Sequence, residues 1–433
     1  MTGELIYNLI NDLFMITRSL TGEGVRDTLA KIKKEHLMNL TIYEIGTGVE
    51  VNDWIIPKEW NINSAFIKNS CGKKVIDLRN NNLHVVGYSK PVNKIMSLSE
   101  LNNHLYSLPD KPDAIPYVTS YYKEDWGFCL SENQRMNLDE KKYHVVIDST
   151  LKNGSLTYAD LKIPGQQSEE VFFSTYICHP SMANNELSGP GVATYIAKYL
   201  SARENRYTYR FVFAPETIGS IVYLSKNIEE LKMNVVASFN LTCVGDDKTL
   251  SFMPSRKGNT YTDKVARHVL ENQEQAFISY SFMKDRGSDE RQYCAPGVDL
   301  PMVSIMKSKY GEYPEYHTSL DNMDFISSEG LGSSYRIHLE CINIIENNYY
   351  YKSTCIGELF LSKRGKNYMV VGGKENKSSI SAKRILDVMA CCDGENDIID
   401  IAELLGVYAG DLIEVFEELN KDGLLVKEDC RGL

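Results

Sequence analysis

Apolar residues recur every three or four positions through "LIYNLINDLFMITRSL" and again through "GVRDTLAKIKKEH". The chain is therefore predicted to open with two amphipathic helices separated at Thr21-Gly22. From about Ile42 the texture changes to short β-rich runs, "KVIDLRNNNLHVVGYSKPV" and "YVTSYYKEDWGFCL", interrupted by Pro57, Pro91, Pro109, Pro112 and Pro116. All three tryptophans fall here, and residues 42–130 read as an inserted β-rich domain. "YHVVIDSTLKNGSLTYADLKI" then alternates around Asn153-Gly154, a composition that predicts a tight hairpin.

Strand and helix patterns follow in turn: "EVFFSTYICHP", "GPGVATYIAKYLSAR", "YRFVFAPE", "GSIVYLSKNIEELKM" and "VVASFNLTCVG". Such alternation implies crossovers in a mainly parallel sheet with helices on both faces, an α/β domain formed by residues 1–41 and 131–350. Beyond Tyr350, "SAKRILDVMACC", "IIDIAELLG" and "AGDLIEVFEELNKDG" are short amphipathic helices ahead of a strand-like "LLVKED". That order predicts a winged helix-turn-helix domain within 355–433.

A length of 433 residues suits two or three domains. The formal net charge of −11 opposes nonspecific binding to nucleic acid or to anionic membranes. No apolar run reaches the roughly 18 residues of a spanning helix, and no basic stretch precedes an apolar block in the first residues, so a cytoplasmic location is expected. Ten dispersed cysteines without a CxxC pair read as reduced, mostly buried thiols. The presumed recognition helix carries Asp411, Glu414, Glu417 and Glu418, the wrong sign for phosphates. The C-terminal domain is accordingly expected to contact a protein partner or a second copy, not nucleic acid.

Four segments in the α/β part collect metal-binding chemistry, each just after an apolar run: "CHPSMANNELSG" with His179, Asn185 and Glu186; "APETIGS" with Glu216; "RGSDERQYCAPG" with Asp289; and "EYHTSLDN" with His317 and Asp321. A parallel sheet would gather them at the carboxyl ends of its strands, where open α/β sheets place ligands. Hydrolysis by a metal ion needs a few nitrogen or oxygen donors, an open position for water, and a carboxylate to take the water's proton. His179, His317 and one acid, Glu186 or Glu216, are the candidate ligands, with Glu216 as catalytic base. Asn185, Asp289 and Asp321 are further ligands or supports of the ligand loops. For Glu216 and Asp289 a helix N-terminus is the competing reading, and for Asp321 a turn holding the His317 loop. No organic cofactor is expected.

The order His, polar loop ending in Ser-Gly, Glu-x-x-Gly-Ser, then Tyr-His-Thr with a following Asp resembles the aminopeptidase-like zinc exopeptidases. Phrases such as "NLHVVGYSKPV", "IPYVTSYY", "WGFCLS" and "STYICHPSMAN" are more closely similar to a family of predicted peptidases with an aminopeptidase-like domain, an inserted β domain and a C-terminal winged helix. The resemblance implies cleavage of a small peptide or amide with zinc, or another divalent metal, and a connection to polysaccharide or surface modification. The departures from the exopeptidase pattern reduce the expected metal count. Asn185 stands where those enzymes bridge two metals with aspartate, Thr242 in "NLTCVG" replaces a second metal-binding aspartate, and "PETIG" keeps one glutamate of a pair. One ion is therefore expected. The alternatives are a non-catalytic protein that binds a peptide or sugar-linked amine, and a winged-helix regulator.

Overall fold

The computed structural model describes residues 1–139, 141–364 and 382–429. Cys430, Arg431 and parts of the predicted winged-helix range lie outside them. The chain divides into two compact units, Met1–Asp263 with Phe277–Arg336, and Lys264–Ala276 with Ile337–Leu433.

The first unit is organised by an eight-stranded sheet. Its spatial order is Thr41–Gly46, Ser155–Ile163, Thr208–Ala214, Glu170–Tyr176, Val235–Asn240, Met302–Met306, Ser251–Met253 and Ile278–Ser279. The four middle strands from Thr208–Ala214 to Met302–Met306 run parallel, and antiparallel pairings flank them. Every residue of "EVFFSTY" and "TYRFVFA" is buried, as expected for parallel strands covered on both faces. Phe172 stacks on Tyr223 of helix Ile218–Asn234. One residue on, Phe173 turns to the opposite face and stacks on Phe211 and Phe239. Helix Ser188–Ser201 lies on that second face. A Cβ at Gly189 would stand 2.3 Å from the Leu241 carbonyl oxygen and 2.4 Å from Thr175 Oγ1, so only glycine permits this approach.

A second, four-stranded antiparallel sheet is formed by Lys74–Asp77, Glu59–Lys68, Lys142–Lys152 and Val92–Ser97. Its limits differ from the 42–130 read from sequence texture. Thr41–Gly46 pairs into the main sheet, while Lys142–Lys152 belongs to the smaller one. The hairpin expected at Asn153-Gly154 does not form. The strands on either side join different sheets, and the turn between them is fixed by Glu59, whose Oε2 accepts from the Ser155 amide at 2.9 Å. Alternating burial appears on strands of either sheet, so it could not distinguish a hairpin from a crossing between sheets.

In the second unit, strands Asp393–Asp397, Tyr350–Ser353 and Leu425–Glu428 form a sheet beside helices Ala382–Cys391, Ile398–Leu405 and Ile413–Lys421. This is a winged helix whose first strand precedes the predicted range. Asp411, Glu414, Glu417 and Glu418 are exposed. The described cysteines are free thiols, most of them buried. Among the described residues, no helix is long and apolar enough to cross a membrane.

Where the two central strands begin, Glu170 is fully buried and takes Arg210 in a bidentate pair, with Nε–Oε2 at 2.5 Å and Nη2–Oε1 at 3.0 Å. Arg210 keeps a second carboxylate, Glu230 at 2.7 Å, and Tyr223 OH at 2.9 Å, so losing Glu170 weakens its pairing without stranding the charge. Glu170→Ala is expected to cost about 1–3 kcal/mol in urea unfolding; a change under about 0.5 kcal/mol would show that the pair is dispensable.

Candidate metal centre

His179 follows the strand Glu170–Tyr176 and is almost wholly buried. Its Nδ1 lies 2.8 Å from Glu186 Oε2, and Cys178 Sγ lies 3.3 Å from the same nitrogen. Glu186 sits in the π-helical turn Ala183–Leu187 that leads into helix Ser188–Ser201. Behind it is Arg18, a buried guanidinium whose Nε is 3.8 Å from Glu186 Oε1 and also donates to the His179 carbonyl at 2.9 Å. Burial lifts the Glu186 carboxyl to about 8 against the pull of Arg18. Burial, then Arg18, drops the His179 imidazole to about 3, so the ring is neutral. With Glu186 ionised, the Nδ1–H donates to it and the Nε2 lone pair faces away, the usual orientation of a metal-binding histidine backed by a carboxylate.

On the Nε2 side stands Glu216, immediately after the neighbouring strand Thr208–Ala214. Its Oε2 is 3.7 Å from His179 Nε2, and its side chain is 21% exposed, the open edge of the cluster. Burial, reinforced by Asp289, raises this carboxyl well above its ordinary range. His317 approaches from a loop, its ring centroid 5.4 Å from that of His179. Burial and the neighbouring imidazole lower it to about 3. His317 holds a left-handed backbone, φ 52°, with its ring stacked on Tyr316 at 3.9 Å. The structure thus brings together His179 and Glu186 of one segment with Glu216 and His317 of two others.

Glu186 is in the cluster and faces Nδ1 of His179, the nitrogen opposite the one that Glu216 faces. Cys178 Sγ, His179 Nδ1 and a Glu186 oxygen lie within 4.8 Å of one another. An ion there would have to displace the Nδ1–carboxylate hydrogen bond, and burial and the nearby glutamates keep the Cys178 thiol protonated. Glu216 is the acid that shares the outward side of His179. Two histidines and a glutamate form a donor set used by catalytic zinc, and donors about 2.0–2.2 Å from one ion stand roughly 3–4 Å apart; the 3.7 Å between His179 and Glu216 meets this, whereas His317 stands farther off and would have to close on the pair to complete the set.

Asn185 donates through Nδ2 to Tyr176 OH at 2.7 Å, Tyr176 OH meets Thr242 Oγ1 at 2.6 Å, and Thr242 donates back to the Asn185 carbonyl at 3.1 Å. This ring of hydrogen bonds is neutral and leaves Asn185 Oδ1 buried without a partner. Asp321 is also engaged. It accepts from the Asn184 and Asn185 amides at 2.6 and 3.0 Å and from Tyr313 OH at 2.9 Å, and so holds the π-helical turn. Asp289 caps a helix other than its own: its Oδ1 accepts from the Thr217 amide at 2.7 Å and Ser220 Oγ at 3.0 Å, at the start of Ile218–Asn234. Its buried Oδ2 has no hydrogen-bond partner, and burial raises the group to about 7.

Two contributors escaped the sequence reading. Arg18 lies between the two opening helices, far from any motif. Tyr117, within the quoted "IPYVTSYY", places its ring 5.0 Å from His179 and 5.2 Å edge-on to His317, with its hydroxyl 2.7 Å from Tyr121 OH. The one available signal was a dense tyrosine run in a loop.

The domain of unknown function DUF4910 matches residues 7–348, and a winged helix-turn-helix family matches residues 349–427. A Clostridium acetobutylicum protein named "Putative polysaccharide biosynthesis protein with aminopeptidase-like domain" is 45% identical over 421 residues, 95% of each chain. The crystal structure of a "putative peptidase" from Clostridium acetobutylicum superposes with a TM-score of 0.91 at 43% identity, over 99% of this chain and 97% of that one. A zinc aminopeptidase from Bacillus subtilis shares the fold, with a TM-score of 0.56 at 13% identity, over 79% of this chain and 94% of its own.

Arg18→Met should leave Glu186 buried without its cation and cost about 3–5 kcal/mol. Adding Glu186→Gln should recover part of that loss by removing the second charge. Thermal unfolding of the single and double variants checks this, and equal losses in both would break the proposed coupling.

Proposed function

The chain belongs to the DUF4910 family, and from that premise and the geometry at the strand ends we propose that it is a hydrolase of a small peptide or amide, dependent on one divalent metal ion, most simply zinc. The observation that carries the reading is the outward face of His179: Nε2 lies 3.7 Å from Glu216 Oε2, beside His317, while Nδ1 is tied to Glu186. His179, His317 and Glu216 would hold the ion. When bound, such an ion supplies Lewis acidity toward a carbonyl oxygen and lowers the pKa of a coordinated water toward about 7.

The chain's own groups divide the remaining work. Arg18 and Glu186 keep His179 in the tautomer that presents Nε2. Burial, reinforced by Asp289, raises the Glu216 carboxyl well above its ordinary range, so Glu216 gives up a proton when it takes the ion, and burial holds the neighbouring Asp289 carboxyl at about 7. Tyr117 covers both imidazoles and limits water. The relative's name favours a substrate from polysaccharide synthesis. The acidic outer face of the winged helix favours a protein partner or a second copy over nucleic acid.

A binding protein without catalysis is the second reading, favoured by the neutral Asn185–Tyr176–Thr242 network in place of a second metal. A screen of aminoacyl amides with zinc, manganese and cobalt separates the two. Turnover that vanishes in Glu216→Gln is the expected result, and no turnover with any metal would leave the binding reading.

Metal analysis is expected to find about one zinc per chain, lost in His317→Ala; full occupancy in that variant would remove His317 from the site. The Glu216 carboxyl is raised well above its ordinary range by burial and Asp289, so at lower pH the metal must displace its proton, and as pH rises less of that proton remains to displace. Zinc affinity should therefore rise from pH 6 to pH 8, with proton release shrinking over the same interval. Calorimetry in buffers of different ionisation enthalpy measures both, and a pH-independent affinity would contradict the assignment.

A further inference from the structure

A cleft of about 380 Å³ opens in the segment that supplies Tyr117, walled by Tyr106, Tyr121, Tyr122, Lys123, Asp125 and Trp126. Ligand sites usually occupy about 300–1,000 Å³. We propose that this cleft is a saccharide-binding site that holds the non-reacting part of the substrate.

The aromatic walls are held in place before any ligand arrives. Tyr122 is 60% exposed, yet its hydroxyl donates to the Ile55 carbonyl at 3.1 Å and its ring tilts against Trp54. Tyr106 lies over Gly127, where a Cβ would come within 2.8 Å of its ring. Tyr121 stands edge-on to Tyr88, and Trp126 stacks on His104 with centroids 3.7 Å apart. Rings already fixed lose little entropy when a ligand binds.

The polar groups select the class of ligand. Lys123 Nζ and Asp125 Oδ2 pair at 3.1 Å and neutralise each other, so the cleft offers a donor and an acceptor without net charge. A nucleotide would need a cluster of unpaired basic groups for its phosphates, and a short peptide would need counter-charges for its termini. A pyranose needs neither. Its C–H faces suit aromatic platforms, and its hydroxyls both donate and accept.

The inner wall connects to the site already described. Tyr121 OH is hydrogen-bonded to Tyr117 OH, and the Tyr117 ring lies against both His179 and His317. The role as a substrate subsite rests on the hydrolase reading; the capacity to bind saccharide does not.

Saturation-transfer NMR and calorimetry on the full chain without added metal test it, using N-acetylglucosamine trimer, maltotriose, trigalacturonate and trialanine as probes. At least one trisaccharide should bind saturably and trialanine should not. Tyr122→Ala and Tyr106→Ala should each weaken that binding roughly three- to tenfold, as expected for loss of an aromatic contact, while Tyr122→Phe retains it. Saccharide binding with this pattern in a protein that hydrolyses nothing would keep the site and remove only the hydrolase reading. No trisaccharide binding, binding indifferent to both alanine variants, or trialanine binding lost in Tyr122→Ala would overturn the site.

Discussion

A buried acid must find inside the protein the partners that water no longer gives, and Glu186 is set between Arg18 and His179, which only partly offset the burial that lifts its carboxyl to about 8. Three parts of the chain are joined by that requirement: the segment between the opening helices, the end of a central strand, and the turn leading into helix Ser188–Ser201. Arg18 does more than balance charge, since it donates to the backbone carbonyls of His179 and Leu13 and so anchors the histidine loop to the first helix. The direction of the His179 ring follows. With Nδ1 committed to Glu186, only Nε2 can serve chemistry, and Glu216 and His317 are the groups it meets.

The same concern with charge accounts for the other half of the site. Two further aspartates near His179 would add anionic charge that only metal ions could balance. Asn185 and Thr242 remove that demand by forming a neutral network with Tyr176. Asp321 remains, because two backbone amides and a phenol stabilise it without any ion. The cluster still keeps Arg18 Nη2, Asn185 Oδ1, Glu186 Oε1 and Asp289 Oδ2 buried without hydrogen-bond partners, and burial raises the carboxyls of Glu216 and Asp289, so it is there that a cation would relieve most strain.

Legibility in the sequence followed how local each signal was. The apolar runs "EVFFSTY" and "TYRFVFA" were visible as buried strands because parallel strands covered on both faces need no polar alternation. His179 and Glu216 were visible because each follows such a run, so sheet topology gathers them, whereas His317 stood out through its Tyr-His-Thr motif. The division of labour between Glu186 and Glu216 was not, because it depends on which imidazole nitrogen each carboxylate faces. That is set by Arg18, more than 160 positions from Glu186. The Asn153-Gly154 turn was misread for a related reason: turn chemistry specifies a reversal of the chain and says nothing about which sheet each arm joins.

The inserted segment belongs to the site as much as the sheet does. Pro116 forms a β-bridge with Thr318, the Tyr117 amide donates to the His317 carbonyl at 2.9 Å, and Ile115 and Ser319 exchange hydrogen bonds on the other side. These contacts bracket His317, whose left-handed backbone costs about 1 kcal/mol or more for a residue with a side chain. Such a conformation persists only where its surroundings over-determine it, and here the surroundings are supplied by the insertion. A fold lacking residues 115–121 would keep His179 and Glu216 at their strand ends but would have nothing to hold His317 against them. The aminopeptidase-like sheet therefore positions half of the candidate centre, and the inserted segment positions the rest.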